Sequence, residues 1–340
     1  MSRAQLTSMV EQSSGGVVAP FLAGKNKIIN GDFGIWQRGT TISAGPAYTA
    51  DRWVMAQDTG SPTYSVSQQS FTPGSAPVAG YEAPYFARFQ VTAASTATTF
   101  FFLQKIENVQ TFAGQTVTLS LWAKSDSART MTVKAQQNFG SGGSATVSTT
   151  LGTISVGTSW ARYSVTATLP SIAGKTIGTG SLLEIDLNYP AAVMTNDFWG
   201  VQVEAGSVAT PFTTASGTLQ GELALCQRYA YAVGGESSYQ WFGSGSQAST
   251  TSTRPVVPFP VKMRTAPSSV TVSSNSHFLI DNGASSIATI SSIVIDSGTT
   301  NSNAGCLGVT TSSGVGSSGG NIRLLANNTT SALLVFSAEL

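Results

Sequence analysis

The sequence has little charge. Asp, Glu, Lys and Arg make up 10% of its 340 residues, against about 25% in an average soluble domain. The formal net charge is +1, and no run of Lys or Arg occurs. Because binding to nucleic acid or to an anionic membrane depends on clustered basic side chains, we expect neither nucleic-acid binding nor membrane insertion. A surface so poor in charge protects weakly against association, which indicates a subunit of an assembly.

Cysteine, histidine and long apolar runs are also scarce. Cys226 and Cys306 have no CxxC pattern, so we expect two small buried side chains, with a disulfide as the alternative. A lone histidine such as His277 is more often a surface or strand residue than a catalyst. The longest apolar stretch, residues 17–23, contains Pro20 and is far shorter than the ~20 residues of a membrane span. It also lacks the basic flank of a signal peptide.

Serine, threonine, glycine, alanine and valine take the place of charged residues, and this mixture suits short strands and tight turns. Between residues 27 and 214, apolar and polar side chains alternate in many short runs. In Thr116–Ser125, for example, the odd positions from 117 to 123 carry Val, Leu, Leu and Ala. Such runs, separated by Gly, Ser and Pro, indicate antiparallel strands with one buried face. Without intervening helices they favour an all-β sandwich.

The hydrophobic period changes at residues 219–231. There Leu219, Leu223, Cys226 and Ala230 recur at intervals of three or four residues. This spacing predicts one amphipathic helix with these four residues on its apolar side.

These patterns divide the chain into four parts. Residues 1–26 are an N-terminal arm for docking or assembly, in which residues 2–12 can form a short helix. Residues 27–214 are the first β domain, 215–233 the connecting helix and 234–340 a smaller C-terminal β domain. An arm of this length without its own core either docks onto a neighbour or stays disordered.

No arrangement typical of an enzyme is found. A glycosidase needs two carboxylates about 5–10 Å apart across a cleft, and no motif links any two of the available carboxylates. These are Asp32, Asp51, Asp58, Glu82, Glu107, Glu184, Asp186 and Asp197. The Gly/Ser-rich segments 139–143 and 243–246 lack the lysine and the strand–helix context of a phosphate-binding loop. We therefore predict a protein that is not an enzyme and has no required cofactor.

One region concentrates scarce residue types. NGDFGIWQRG (residues 30–39) and YTADRW (residues 48–53) together supply Trp36, Arg38, Asp51, Arg52 and Trp53. In one interpretation they form a sugar site, with rings stacked on sugar faces and charges bonded to hydroxyls. In the other they form a structural staple, in which the aspartate pairs with an arginine whose stem lies on a tryptophan. Because an unpaired buried charge is very costly, the sequence favours the staple.

A second aromatic group lies in SYQWFGSG, where Tyr239, Trp241 and Phe242 stand among Gly and Ser. Loops on rigid β scaffolds often carry recognition, and exposed aromatic side chains suit contact with a sugar or an apolar receptor. Arg254 could add a charged hydrogen bond to an acidic glycan. We predict glycan or receptor binding at these four residues. The alternative is that the tryptophan and phenylalanine begin a core strand or pack between subunits.

Several segments together carry a family resemblance. They are, in chain order, NKIINGDFGIWQRG, TADRW, DFWGVQVEAGSVATPF, GELALCQRYAY, ASTTSTRPVVPFPVKMRTAPSSVTVS and TTSALLVFSAEL. They resemble tailed-bacteriophage virion proteins of the tail-fibre or receptor-binding type, built around a jelly roll like that of carbohydrate-binding modules. The resemblance covers most of the chain from Lys27 onward and does not cover the arm.

The resemblance implies a jelly-roll β-sandwich followed by a smaller C-terminal β-sandwich. Its first and last strands would be neighbours, so that Phe33 and Phe198 close one end of the core. It also implies a location in the virion, on the tail or another external appendage, and contact with a host-surface glycan or receptor without catalysis. A homotrimer that binds other virion proteins through the arm, and a structural calcium near Asp32 and Asp197, are further implications.

Two alternative functions remain. One is a purely structural virion subunit, such as a head fibre or capsid decoration protein. The other is a polysaccharide depolymerase, against which the absence of a solenoid repeat argues.

Overall fold

The computed structural model describes residues 24–43, 45–78, 81–283, 290–315 and 320–340, together with the backbone of residues 286–287. Over this part of the chain the protein consists of twenty-two strands, one α-helix and one 3-10 turn. The prediction of an all-β fold is therefore confirmed. The short helix predicted at residues 2–12 lies outside the described residues.

Two antiparallel six-stranded sheets from the first part of the chain enclose one hydrophobic core. In spatial order the first sheet contains β1 (Thr41–Ile42), β4 (Thr63–Ser70), β5 (Tyr85–Ala93), β12 (Met194–Ala205), β7 (Thr116–Ser125) and β10 (Ala161–Thr168). The second contains β2 (Ala47–Tyr48), β3 (Trp53–Gln57), β6 (Thr99–Glu107), β11 (Leu182–Pro190), β8 (Arg129–Asn138) and β9 (Val147–Val156). Because the chain passes repeatedly from one sheet to the other, the arrangement is a sandwich of the jelly-roll kind.

Alternation in the sequence decides which side chains enter this core. In β8, Met131, Val133 and Ala135 are buried in it, whereas Thr132 and Lys134 between them are partly exposed. Successive side chains of a strand point to opposite faces, so a shift of one residue would exchange the two sets.

The start of the jelly roll runs beside its last strand, β12, although it is not itself a strand. The N–H of Lys27 donates to the carbonyl of Val203 at 3.1 Å, and the N–H of Val201 donates to the carbonyl of Gly31 at 2.9 Å. A Cβ at residue 31 would lie 2.2 Å from the Val201 oxygen. The close approach of the two backbones therefore requires glycine.

Phe33 and Phe198 are both fully buried in the core. Each lies against the ring of Phe102, with centroids 5.9 and 5.4 Å apart respectively. The two ends of the jelly-roll chain thus meet in one aromatic cluster, joined through this third ring.

The connecting helix, α1 (Leu219–Gln227), begins after the N-cap Thr218, whose hydroxyl accepts from the N–H of Gly221 at 3.1 Å. The predicted continuation to residue 231 is wrong. Ala230–Gly234 instead form β13, which pairs along its whole length with β22 (Leu333–Ser337). The partner strand satisfies the backbone groups that a longer helix would have bonded internally.

The apolar side predicted for α1 is wrong in its first half. Leu219 and Leu223 are 67% and 37% exposed, whereas Glu222 between them is buried. The glutamate turns inward because its carboxylate accepts from the backbone N–H groups of Asn30 and Ser216, at 2.8 and 2.6 Å. A hydrogen-bonded buried carboxylate therefore sets the rotation of the helix.

The C-terminal part of the chain forms a second, smaller sandwich with a core of its own. Its first sheet has the order β13, β22 and β16 (Ser269–Val272). Its second sheet has the order β18 (Ser286–Ile287), β17 (Phe278–Asp281), β21 (Asn321–Ala326), β14 (Trp241–Ser249), β15 (Ser252–Pro258), β20 (Ala304–Thr311) and β19 (Ile290–Ile295). The 3-10 turn occupies Asn275–His277. Because β13 belongs to this sandwich, the second sandwich begins within the stretch 215–233 assigned to the connecting helix.

Cys226 and Cys306 are free and buried, so the disulfide alternative is wrong. Burial raises the pKa of Cys226 well above its ordinary value. In the part of the chain that the structure describes, no helix is long and apolar enough to cross a membrane.

Candidate functional site

The tryptophans of the predicted staple have little surface to offer a sugar. Trp53 is fully buried, and its indole N–H donates to the carbonyl of Asn30 at 3.0 Å. Trp36 is partly buried, and its indole N–H donates to the carbonyl of Phe33 at 2.7 Å. Both rings therefore serve to hold the opening loop of the jelly roll.

Asp51 is the buried acceptor at the centre of the staple. Its carboxylate accepts from the backbone N–H of Gln37 at 2.9 Å and also from the side-chain amide of that residue. Nη1 of Arg38 lies 3.9 Å from Oδ1 of Asp51. Burial raises the pKa of Asp51 to about 6, and the arginine acts against this rise. The predicted pairing of the aspartate with an arginine is thus present, but as a long contact.

Arg52 finds its main partner outside the jelly roll. Its guanidinium forms an ion pair with Glu339, which also accepts from Nη2 of Arg38 at 2.9 Å. The guanidinium carbon of Arg52 lies 3.4 Å from the ring centroid of Tyr229. The aromatic ring beneath this arginine is therefore a tyrosine, whereas a tryptophan was predicted from the sequence. No local pattern of residues indicates this glutamate, because it lies 287 residues further along the chain than Arg52.

Further hydrogen bonds join the same two regions. The amide of Gln37 donates to the carbonyl of Ala230 at 2.7 Å. The hydroxyl of Tyr48 and Nζ of Lys105 donate to the carbonyl of Leu340, at 2.8 and 3.1 Å. The staple is therefore an inter-sandwich connection, which we call the Arg52 clasp: Arg38, Asp51, Arg52, Tyr229 and Glu339.

The outward face of the seven-stranded sheet carries the other predicted site. Trp241, Ser244, Arg254 and Val256 are exposed side chains of β14 and β15, and Arg323 of β21 is in register with the serine. We call these five residues the Trp241 surface.

Trp241 is the most exposed of the six tryptophans, at 50%. Its indole N–H donates to the hydroxyl of Ser244 at 3.1 Å, which fixes the ring. Tyr239, just before the strand, is 60% exposed. Phe242 is buried against Phe278, with centroids 5.2 Å apart. Its predicted contact role is therefore wrong, and the core-strand alternative is right for this residue.

Two exposed arginines lie on the same outward face as the tryptophan, Arg254 in register with Ser246 and Arg323 with Ser244, and each has an acidic partner. Nη1 of Arg254 lies 2.6 Å from Oδ2 of Asp296, and Arg323 pairs with Asp281. A cavity of about 320 Å³ adjoins the second pair and is lined also by Asn321. Arg254 was predicted from the sequence, whereas the other four polar residues were missed.

Two glycines of β14 alternate with Ser244 and so lie on the inward face of the strand, where Gly245 is in register with the buried Ile322. A Cβ at Gly243 would lie 2.2 Å from the carbonyl oxygen of Val256, and one at Gly245 would lie 1.9 Å from that of Arg254. The backbones of β14 and β15 therefore approach each other closely. On the outward face, the exposed ring of Trp241 is bonded to Ser244, which lines the polar cavity together with guanidinium, carboxylate and amide groups. Such a combination of one apolar platform and a few convergent polar groups suits a small polar ligand.

The residues proposed for calcium do not fit such a site. Asp197 is bonded through both oxygens to Arg88, at 2.8 and 2.9 Å, and lies 3.5 Å from Nζ of Lys124. Burial, followed by the charge of Glu222, raises the pKa of Asp32 to about 6. Among the described residues, no three His, Cys, Asp or Glu side chains are grouped to hold a metal ion.

Glu184 and Asp186 are the two candidate carboxylates that share a direct hydrogen-bond donor. The amide of Gln136 donates to them at 3.0 and 2.5 Å respectively. Burial, followed by the charge of the glutamate, raises the pKa of Asp186 to about 8. Although such a pair can share a proton, Asp186 is only 1% exposed. The aspartate therefore has almost no surface of its own at which a substrate could contact it.

Comparisons with known proteins give only remote structural likenesses. No protein-family model and no curated protein matches the chain. The enzymatically active domain of tailspike protein 4 of bacteriophage CBA120 has 18% identity and a TM-score of 0.35, and the match covers 54% of this chain and 22% of that chain. A CBM4 structure has 20% identity and a TM-score of 0.33, and the match covers 52% of this chain and 98% of that chain.

TmCBM61 in complex with β-1,4-galactotriose has 13% identity and a TM-score of 0.31, and the match covers 53% of this chain and 99% of that chain. A cyclase from Fischerella sp. TAU has 15% identity and a TM-score of 0.36, and the match covers 54% of this chain and 98% of that chain. The neighbours thus include a phage tailspike domain, carbohydrate-binding modules and an enzyme. At this level of similarity none of them carries a function over to this chain.

Proposed function

We propose that this protein is a non-catalytic subunit of an external bacteriophage appendage, of the tail-fibre or receptor-binding type, that binds a host-surface glycan. The observation that carries the proposal is the Trp241 surface. Its indole is exposed and held in one orientation by Ser244. An exposed ring held in one orientation offers a platform for stacking, and a sugar ring has an apolar face of similar size.

The polar groups beside the ring favour a glycan over a purely apolar partner. Arg323, Asp281 and Asn321 border the adjoining cavity. They supply donors and acceptors within one site, as the hydroxyl groups of a sugar require. Arg254, half exposed on the other side, adds a cation that favours an acidic sugar.

The virion part of the proposal rests on the sequence motifs and on the charge-poor surface. We propose attachment to other virion proteins through residues 1–26 and a homotrimeric assembly. We also propose that the subunit is non-catalytic, since Asp186, one of the two candidate carboxylates bridged by Gln136, is buried.

The test is adsorption of the purified full chain, or of phage that carry it, to host cells. Trp241→Ala should reduce adsorption at least tenfold, whereas Ile177→Ala, which removes an exposed apolar side chain of the jelly roll, should not change it. Both variants should keep the parental melting temperature within a few degrees, because exposed side chains contribute little to folding. A folded Trp241→Ala variant with unchanged adsorption would contradict glycan binding here and favour the purely structural virion subunit.

A further inference from the structure

The described chain enters the fold beside helix α1. The N–H of Gly24, the first described residue, donates to the carbonyl of Ala215 at 2.7 Å. That alanine lies four residues before the helix begins at Leu219. The described chain therefore begins close to the N-terminal end of α1.

Helix α1 presents an apolar edge to the outside at the same place. Leu219 and Leu223 are exposed and lie one helical turn apart, on one side of the helix. Tyr81, from the loop that precedes β5, is also exposed. Between the tyrosine and the helix lies a cavity of about 330 Å³, which Leu219 also lines. We call the two leucines together with this cavity the α1 surface.

The floor of the cavity is acidic. Asp32 and Glu222 both line it, and neither forms an ion pair with any described residue. Burial, followed by the charge of Glu222, raises the pKa of Asp32. A cationic side chain in the cavity would relieve this repulsion between like charges. The fitting occupant has a basic group next to apolar residues.

The sequence of the segment that precedes Gly24 has this composition. Residues 2–12 read SRAQLTSMVEQ, in which Arg3 is followed by Leu6, Met9 and Val10. These positions recur every three or four residues, as on one side of a helix. Gly24 is twelve residues beyond the end of this stretch, and an extended link of that length reaches about 40 Å. The link is therefore long enough for residues 2–12 to contact the α1 surface.

We propose that residues 1–23 bind the α1 surface of their own chain, with Arg3 at the acidic cavity and the apolar residues of the segment on the two leucines. The docked segment and α1 then present one joint surface to the next virion protein. This inference goes beyond glycan binding and is independent of the Trp241 surface.

The test is cross-linking of the full chain carrying Met9→Cys and Leu223→Cys, with a short bismaleimide, followed by peptide mass spectrometry. The native cysteines are buried and should react poorly. We expect a cross-link within one chain, in a yield at least fivefold above that of the control pair Met9→Cys and Val294→Cys, which uses an exposed valine of the C-terminal sheet. A yield equal to the control overturns the proposal. A cross-link between chains also overturns it, because the occupant would then belong to a second copy.

The role of the charge is tested in the same assay. Arg3→Glu should lower the yield of the Met9–Leu223 cross-link severalfold, and Arg3→Lys should preserve it. If Arg3→Glu leaves the yield unchanged, the acidic cavity does not receive this residue, and the proposed docking mode is wrong.

Discussion

Arg52 and Glu339 form a buried ion pair although 287 residues separate them in the chain. Their side chains are 1% and 5% exposed. The arginine belongs to the jelly roll and the glutamate to the end of the smaller sandwich, so the pair holds the two sandwiches together. Tyr229 covers the guanidinium and Arg38 completes the charge balance. The clasp is thus a structural element shared by both units.

Arg52→Ala should lower the free energy of unfolding by up to about 3–5 kcal/mol, because it leaves the buried Glu339 carboxylate with Arg38 as its remaining ionic partner. Urea unfolding of the purified chain measures this change. The matched control is Arg323→Ala, which removes a pair whose arginine is half exposed and should cost no more than about 1 kcal/mol. Asp51→Ala should likewise harm stability more than binding. An Asp51 or Arg52 variant with an unchanged melting temperature and lost glycan binding would reverse the assignment of the staple.

Gly245→Ala should destabilise the C-terminal sandwich, since the new Cβ would lie 1.9 Å from the carbonyl oxygen of Arg254. Relief requires β14 and β15 to move apart, at a cost of about 1–3 kcal/mol. Gly157→Ala is the control, because the nearest atom to its Cβ, the hydroxyl of Tyr163, is 3.7 Å away. Thermal unfolding of both variants measures the difference. Equal melting temperatures would show that the two strands can separate freely.

The free energy of unfolding of the Asp186→Asn variant, relative to that of the parent chain, should increase as the pH rises from about 4 to about 8. Burial raises the pKa of Asp186 to about 8, so over this window the folded chain keeps a proton that the unfolded chain releases. By linkage the parent loses stability with rising pH, by up to about 1.4 kcal/mol per pH unit, and the asparagine variant does not have this loss. Unfolding in urea at pH 4.5, 6 and 7.5 measures the effect.

Asp58→Asn is a control for which we expect the opposite dependence of stability on pH. Hydrogen bonds from Thr98 hold the pKa of Asp58 below its usual range. The carboxylate therefore contributes stability above about pH 4, which is lost as the pH falls. The asparagine variant should be less stable than the parent at pH 7.5, with the difference shrinking in more acidic solution. Parallel pH profiles for the two variants would contradict both assignments.

The full chain should be a homotrimer in solution. Val193 and Val208 are more than half exposed, and a surface with few charges does little to oppose contact between copies. Light scattering coupled to size exclusion at micromolar concentration should give three times the mass of the chain. A stable monomer with residues 1–26 intact would contradict the trimer.

Local sequence patterns were sufficient to predict the strands and the all-β class. In β8 the alternation of apolar and polar residues identifies the face that is buried in the core, whereas in β11 the polar Asp186 and Asn188 are buried as well. The same kind of local reasoning placed Trp241 among small residues and predicted its exposure. The predicted exposure was wrong for Phe242. This residue follows Trp241 in the strand, and adjacent residues of a strand point to opposite faces of the sheet.

Helix α1 shows where local pattern fails. Its leucine spacing indicated a buried apolar side, yet Glu222 is the buried residue, held by the N–H groups of Asn30 and Ser216. The pattern contains no information about these donors, one of which lies 192 residues away. The helix also ends early because β22 offers a hydrogen-bonding partner to residues 230–234.

The sequence by itself determined the all-β class, the concentration of Trp, Arg and Asp in the opening loop and the interpretation of that concentration as a staple. These follow from side-chain periodicity and from the cost of burying an unpaired charge, which both act locally. Only the tertiary structure decided that the partner of Arg52 is Glu339, and that Arg323 and Asp281 stand beside Trp241. Such pairings depend on which distant strands are brought together in the fold. The hydrophobic pattern that folds each sandwich does not determine which polar side chains then come into contact.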